Sequence, residues 1–294
     1  MFSSYTVWAM KLDRLFDSGE PVISFEFYPP KTERGFASLY RTIADLKQLH
    51  PAYVSVTWGA GGSTRRKTAD LTIQIQRDLN LTAMAHMTCV GSGRTDISQT
   101  LDQLQAGGVR NVLALGGDHP DDYKVQAGGF SHANELIEFI RANPNWDLAL
   151  AGACYPETHT GALSPEADLA NLVRKVEAGT DWLITQLFFD NADYFDFVER
   201  ARAAGIDVPI VAGIMPVVSA ENVRRMAELS GAKIPTELAA RLDSSQGDPN
   251  ATLRTGIEWA TMQCRELLDR GAPGIHFYTL NRSSATRQVY SSIS

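Results

Sequence analysis

The stretch Ala178-Gly179-Thr180-Asp181-Trp182-Leu183-Ile184-Thr185-Gln186-Leu187-Phe188 joins the end of a helix, a glycine and a β-rich apolar run, Trp182–Phe188. A glycine after a helix accepts the left-handed conformation that ends it, and the aliphatic and aromatic run that follows reads as a strand. The same unit recurs. Ala106-Gly107-Gly108 precedes Asn111–Leu115, Ala204-Gly205 precedes Pro209–Ile214, and Arg270-Gly271 precedes Gly274–Thr279. With the strand in Val22–Pro30 and those at Tyr53–Thr57, Ala83–Thr88 and Leu148–Ala153, eight strand candidates alternate with helices. Their near-continuous apolar character is that of strands covered on both faces. Eight such units predict an α/β chain folded as a (β/α)₈ TIM barrel, in preference to an open doubly wound sheet. Residues 1–294 read as one barrel domain. The section Pro216–Ala272 is too long for one crossover, which predicts extra helices at Ala220–Leu229, Pro235–Leu242 and Asn250–Asp269, between strands 7 and 8.

Composition narrows the partners. The chain of 294 residues is 44% hydrophobic and carries a net charge of -7 with no basic run, so nucleic acid and anionic membrane are poor candidates. No apolar run reaches the roughly 18 residues of a membrane span. Met1–Leu15 is broken by Lys11, Asp13 and Arg14 and lacks the apolar segment of a signal peptide. Cys89, Cys154 and Cys264 are odd in number, far apart and in no metal-ligand spacing, which predicts a reduced, cytoplasmic protein without disulfides or a zinc site.

Within Val22-Ile-Ser-Phe-Glu-Phe-Tyr-Pro-Pro30, side chains alternate, so Phe25 and Phe27 share one face while Ser24 and Glu26 share the other. Glu26 then looks into the barrel. Desolvation raises the pKa of such a carboxyl and suits it to donate a proton, although a paired carboxylate at a strand end fits the same stretch. The strand ends in order are Glu26, Thr57, His86, Asp118, Tyr155, Gln186, Met215 and Thr279, seven of them polar. Catalytic groups of such barrels lie at these carboxyl ends. The first strand has no His-x-His and no strand end carries Lys, which argues against a metal hydrolase and a Schiff-base aldolase; metal-free, imine-free chemistry remains, and an organic cofactor could supply it.

The helix Asp168–Ala178 buries Leu169, Leu172, Val173 and Val176 and repeats Asp168, Asn171 and Lys175 at i, i+3 and i+7, with Arg174 adjacent. The pattern reads either as a solvated charged face or as the seat of a nucleotide tail, Asp168 accepting from ribose hydroxyls while Lys175 and Arg174 face phosphates.

From about Val22 to Arg282 the chain resembles the methylenetetrahydrofolate reductase family of flavoprotein barrels. The resemblance rests on Ser24-Phe-Glu-Phe-Tyr-Pro-Pro30, Val54-Ser-Val-Thr-Trp-Gly-Ala60, Ala85-His-Met-Thr-Cys89, Leu113-Ala-Leu-Gly-Gly-Asp118, Tyr155-Pro-Glu-Thr-His159, Ile184-Thr-Gln-Leu-Phe-Phe-Asp190, Gly213-Ile-Met-Pro216 and His276-Phe-Tyr-Thr-Leu-Asn-Arg282. It implies a ping-pong reduction in which NADH or NADPH passes hydride to FAD, and the reduced flavin then converts methylenetetrahydrofolate to methyltetrahydrofolate. By resemblance, Glu26 is the general acid that opens the folate's five-membered ring, and Asp118 lies beside flavin and pterin. Thr57, Trp58, His86, Gly117, Asp118, Ala133, Tyr155, His159, Asp168, Asn171, Arg174 and Lys175 are implied to contact FAD. Gln186, Asn222, Met226 and Arg282 are implied to contact folate or nicotinamide. Family members are commonly homo-oligomers, and that assembly is expected here. The last barrel unit lies close to Ser294, so the S-adenosylmethionine-sensing domain of eukaryotic members is not expected.

Four positions depart from the family pattern. Gly116 replaces an arginine that touches FAD, His132 stands near a usual tyrosine, Met226 takes the place of an aromatic, and Asn222 that of a glutamine. They give two alternatives a foothold: a flavin-free or weakly flavin-binding form of the same reductase, and a folate-binding protein without turnover. A cofactor-free lyase using Glu26 and Asp118 as an acid/base pair is the further enzymatic reading.

Overall fold

Strand β1 (Val22–Phe27) has two buried faces with different neighbours. Phe25 and Phe27 turn outward into a core shared with Leu39, Ile43 and Leu46 of helix α1 (Glu33–Lys47), whereas Ser24 and Glu26 turn into the barrel. Helix α1 starts where the Thr32 hydroxyl accepts from Gly35 N, and it carries Glu33 in its first turn and Lys47 in its last, each matched to the nearby end of the helix dipole. Its buried Leu39, Thr42, Ile43 and Leu46 recur at helical spacing. Burying each such aliphatic side chain contributes about 1.5–3 kcal/mol.

The remaining elements repeat this unit. The computed structural model describes residues 10–58, 62–117 and 128–293, with the side chains of 62–66 excepted. After α1 come β2 (Tyr53–Val56), α2 (Gly62–Asp78), β3 (Ala83–Thr88), α3 (Arg94–Ala106), β4 (Asn111–Leu115), α4 (Ala133–Arg141), β5 (Ala149–Cys154) and α5 (Pro165–Glu177). They are followed by β6 (Trp182–Thr185), α6 (Asn191–Ala203), β7 (Ile210–Ile214), α7 (Ala220–Ser230), α8 (Thr236–Ser244), α9 (Pro249–Asp269), β8 (Gly274–Tyr278) and α10 (Ser284–Ile293). The strands are all parallel and close in sequence order, β8 pairing with β1. The expected (β/α)₈ barrel is therefore what forms, as a single domain with three helices between β7 and β8. Helix α9 lies so close to the β7–α7 loop that a Cβ on Gly256 would come within 2.0 Å of the Val217 carbonyl oxygen.

One strand is shorter than its apolar run. β6 ends at Thr185 rather than continuing through Phe188. Gln186 N still donates to Cys154 O, but the Gln186 amide oxygen then accepts from Leu187 N and the chain turns away. Leu187 and Phe189 enter the apolar cluster under α7–α9, and Phe188 stacks on Tyr194 of α6. Tertiary burial claims these three residues, so hydrophobicity alone overestimates the strand.

The lower barrel is filled by Val22, Tyr53, Met84, Leu113, Trp182 and Val211, with Leu12 inserted from the segment before β1. That segment is held by Asn111 of β4, which accepts from Leu12 N and donates to Met10 O. The interior is thus a packed core below and a polar cluster above.

Candidate active site

Glu26 is at the centre of the polar cluster. Its Oε2 lies 3.3 Å from His276 Nε2 on β8 and 3.4 Å from His86 Nε2 on β3. The His276 contact is a hydrogen bond. That to His86 is off line, so His86 Nε2 is a buried nitrogen without a hydrogen bond among the described residues and the interaction is electrostatic. His276 is fully buried, and its Nδ1 sits 2.7 Å from Ser24 Oγ, with Ser55 Oγ 3.4 Å from Nε2. Tyr53 stacks on the His276 ring and Tyr278 meets it edge-on.

Burial brings the His86 pKa down to about 4; the Glu26 charge opposes the shift and His276 adds to it. His86 is therefore a neutral imidazole near pH 7. Burial pushes Tyr53 up to about 12 and Tyr278 well above the ordinary phenol range, the Glu26 charge adding to both. Both stay phenols. The Tyr278 hydroxyl donates to Thr185 O across the strand that separates β8 from β6, passing Gly213, where a Cβ would strike both groups. Thr279 Oγ1 donates to Glu26 O and the Asn281 amide bridges Tyr28 N and O, tying the end of β1 to the loop after β8.

The predicted site residues fall into three groups. Glu26 and His86 meet directly. Thr57 follows β2 with its N–H on Phe27 O, and the neighbouring Trp58 presents a buried Nε1 that lacks a partner among the described residues. After β4, Gly117 has φ of +87 and a Cβ there would sit tightly, 3.0–3.1 Å from Thr88 and Val90, while no described residue lies within 4 Å of a Cβ on Gly116. Asp118 lies outside the described residues. Ala133 begins α4, buried, after the exposed His132.

Around α5 the residues are dispersed. Ser164 caps the helix by accepting from Ala167 N. Asp168 Oδ2 accepts from His159 N, the His159 ring sits edge-on to Tyr155, and between them Thr158 is held at φ of +87, a strained setting for a β-branched residue. Lys175 is tucked between helix and sheet with Nζ donating to Ala153 O, and burial lowers its pKa. Asn171 is exposed. Arg174 lines a cleft of about 500 Å³ between α4 and α5, together with Asn134 and Arg141. The single charged stripe read from helical spacing is thus divided among loop, sheet and cleft.

On the other side, Gln186 follows β6, and Asn222 and Met226 stand one turn apart on α7, both half-buried. Met226 packs with Leu187, Met215 and Tyr278, whereas Arg282 is exposed in the turn after β8. Among the described residues no group of three His, Cys, Asp or Glu could hold a metal ion.

Sequence reading missed His276, Ser24, Ser55 and Tyr278 as members of the site. A signal existed. On β8 the apolar Ile275 and Phe277 face outward, which leaves His276 and Tyr278 on the inward positions of an otherwise apolar strand.

The family model described as methylenetetrahydrofolate reductase matches residues 11–294. A relative in Arabidopsis thaliana, methylenetetrahydrofolate reductase (NADH) 1, is 37% identical over 283 residues, which is 92% of this chain and 48% of the relative. The chain thus spans about half the length of that plant protein. The 5,10-methylenetetrahydrofolate reductase of Pectobacterium carotovorum is 35% identical over 269 residues, covering 91% of this chain and 88% of that protein. Among solved structures, an uncharacterized Clostridium thermocellum protein that binds two copies of 5-methyl-5,6,7,8-tetrahydrofolic acid superposes with a TM-score of 0.65 at 15% identity, over 97% of this chain and 98% of its own, a likeness of fold. The bacterial relative matched over most of its length, the family match across nearly all of the chain, and the barrel itself establish that this chain belongs to the methylenetetrahydrofolate reductase family.

Proposed function

We propose that the protein reduces 5,10-methylenetetrahydrofolate to 5-methyltetrahydrofolate with NADH or NADPH, through FAD and in two separate half-reactions. The observation that carries this reading is Glu26: a carboxyl at the barrel mouth, mostly buried, with one oxygen against two imidazoles.

The residues offer a flavin two points of contact. Trp58 and His86, on adjacent strand ends, each present a buried ring nitrogen without a hydrogen bond among the described residues, and Arg174 lines, with Arg141, Glu138 and Glu177, an open cleft between α4 and α5. Bound FAD supplies the hydride relay between nicotinamide and folate. Gly117, Ala133, Tyr155, His159, Asp168, Asn171 and Lys175 hold the cofactor in this reading.

Glu26 supplies the proton. Its O–H bond breaks as the leaving nitrogen of the folate's five-membered ring takes the hydrogen; the C–N electron pair moves to that nitrogen, and the carbon becomes the iminium that accepts hydride. A positioned acid contributes about 10²–10⁴-fold in rate. The carboxylate left behind is stabilised by the His276 imidazole in a poorly solvated site, where such a contact is stronger than in water. Gln186, Asn222, Met226 and Arg282 orient the folate and the nicotinamide in turn, and Asp118 is the charge beside flavin and pterin in this reading.

A weakly flavin-binding form of the same reductase is the second reading. Gly116 leaves open space where the family places an arginine, and Asp168 and Lys175 are already engaged by His159 N and Ala153 O. An anaerobic titration separates the readings. NADH should bleach flavin absorbance at 1:1 stoichiometry, and methylenetetrahydrofolate should restore it. Protein that stays colourless at saturating FAD sinks the proposal, and bleaching that needs a large excess of FAD supports the second reading.

A further inference from the structure

The hydrogen bonds inside the barrel determine where the proton of Glu26 resides. Ser24 and His276 are both fully buried: Ser24 Oγ lies 2.7 Å from His276 Nδ1, Ser55 Oγ lies 3.4 Å from Nε2, and the Tyr53 hydroxyl next to Ser24 is out of line for a hydrogen bond among the described residues. Each ring nitrogen thus faces a buried serine, and a neutral imidazole can accept from only one of them; the Ser24 contact at 2.7 Å is the stronger and takes precedence over the Ser55 contact at 3.4 Å. The Ser24 hydroxyl therefore donates to Nδ1, and His276 carries its hydrogen on Nε2. That nitrogen faces Glu26 Oε2 at 3.3 Å. His86 directs a second Nε2 at the same oxygen from 3.4 Å. Oε1, in contrast, makes no hydrogen bond to any described residue, and the Glu26 side chain keeps 15% of its surface open.

We propose that Ser24 and His276 act as positioning residues: by presenting an Nε2–H to Oε2 they make that oxygen an obligate acceptor and place the transferable proton of Glu26 on Oε1, the oxygen free to meet substrate. The inference rests on the reductase reading for its consequence, but its structural half does not need flavin. The titratable groups facing Glu26 are His86, His276 and the phenols of Tyr53 and Tyr278, and both phenols stay protonated. When Glu26 gives up its proton, His276 Nε2–H is already in place to hold the carboxylate, with no rotation required.

Two measurements test this. In ¹⁵N-histidine NMR of the flavin-free protein, with His276→Gln providing the assignment, His276 should show the Nε2–H tautomer; the Nδ1–H tautomer would overturn the inference outright. In stopped-flow half-reactions, Ser24→Ala should slow folate-driven flavin reoxidation about tenfold, the loss of one hydrogen bond near a charge, and shift its pH profile. NADH-driven bleaching serves as the internal control for folding and flavin binding. His276→Leu should be slower still, with His276→Gln, which keeps an amide donor toward Glu26, recovering part of the rate. Wild-type reoxidation and an unshifted pH profile in Ser24→Ala mean that the pair is only structural. Wild-type protein that fails both half-reactions defeats the reductase reading instead, and the tautomer result still stands or falls by itself.

Discussion

The barrel mouth and the outer helix α5 carry polar groups in comparable number but hold them differently. Glu26, His86 and His276 sit on three strands that share one closed sheet, and their distances are set by strand register and by packed neighbours such as Tyr53 and Tyr278. Asp168, Asn171, Arg174 and Lys175 sit on one helix, two of them bonded to backbone and two exposed. The contrast teaches a division of labour. In the proposed reaction the proton transfer, which depends on fractions of an ångström, falls to rigid, buried groups, and the proposed contact with a nucleotide tail falls to longer, more exposed side chains.

The contrast predicts which changes cost most. Glu26→Gln should leave NADH-driven bleaching intact and reduce folate-driven reoxidation by about 10²–10⁴-fold, as seen by stopped flow; survival of both half-reactions would make the carboxyl a structural element and erase the distinction. Next comes His86. Its folded pKa of about 4 lies below the ordinary 6.5, so the unfolded chain binds the proton more readily; stability is full above the unfolded value and falls as pH drops from 6.5 toward 4. The 2.5-unit difference corresponds to roughly 3 kcal/mol. Urea denaturation across that window should show the loss, and His86→Gln should flatten it; an equal slope in the variant would place the acid sensitivity elsewhere.

A smaller effect is expected at α5. Arg174→Ala should weaken FAD binding about tenfold with unfolding stability within about 0.5 kcal/mol of the parent, measured by fluorescence titration beside a denaturation curve. If stability falls and affinity holds, the outer helix is scaffold and the contrast is lost. Smallest is Thr158→Gly. A β-branched residue at φ of +87 costs of order 1–3 kcal/mol and glycine forfeits part of the gain, so a net stabilisation of about 1 kcal/mol is expected. A loosened flavin in the same variant would show that the strain holds Tyr155 and His159 in place.

Much of this was legible in the residues alone, and unevenly. The alternation in Val22–Phe27 turned Glu26 inward because pleating leaves no other choice. The helix-glycine-strand unit foretold the barrel, and Gly108, Gly179, Gly205 and Gly271 all take the left-handed conformation that the repeat requires. β6 was misjudged at its end, since Leu187–Phe189 are as apolar as a strand yet are claimed by helix packing. The α5 charges were visible as a pattern, but spacing on one helix says nothing of the loop carbonyls and amides that will meet it. Asp118 lies outside the described residues, and the partner of Glu26 that the sequence did not reveal is His276, 250 residues away.

Local order, the direction in which each side chain leaves its strand, and the family pattern follow from the sequence, because pleat, helical period and glycine conformation depend on near neighbours. Which histidine meets which carboxylate was decided only when β8 closed on β1 with Ser24 opposite His276 and Glu26 opposite Tyr278. Register between strands at opposite ends of a chain is a property of the closed sheet and the core packed on both sides of it, and no local propensity encodes it.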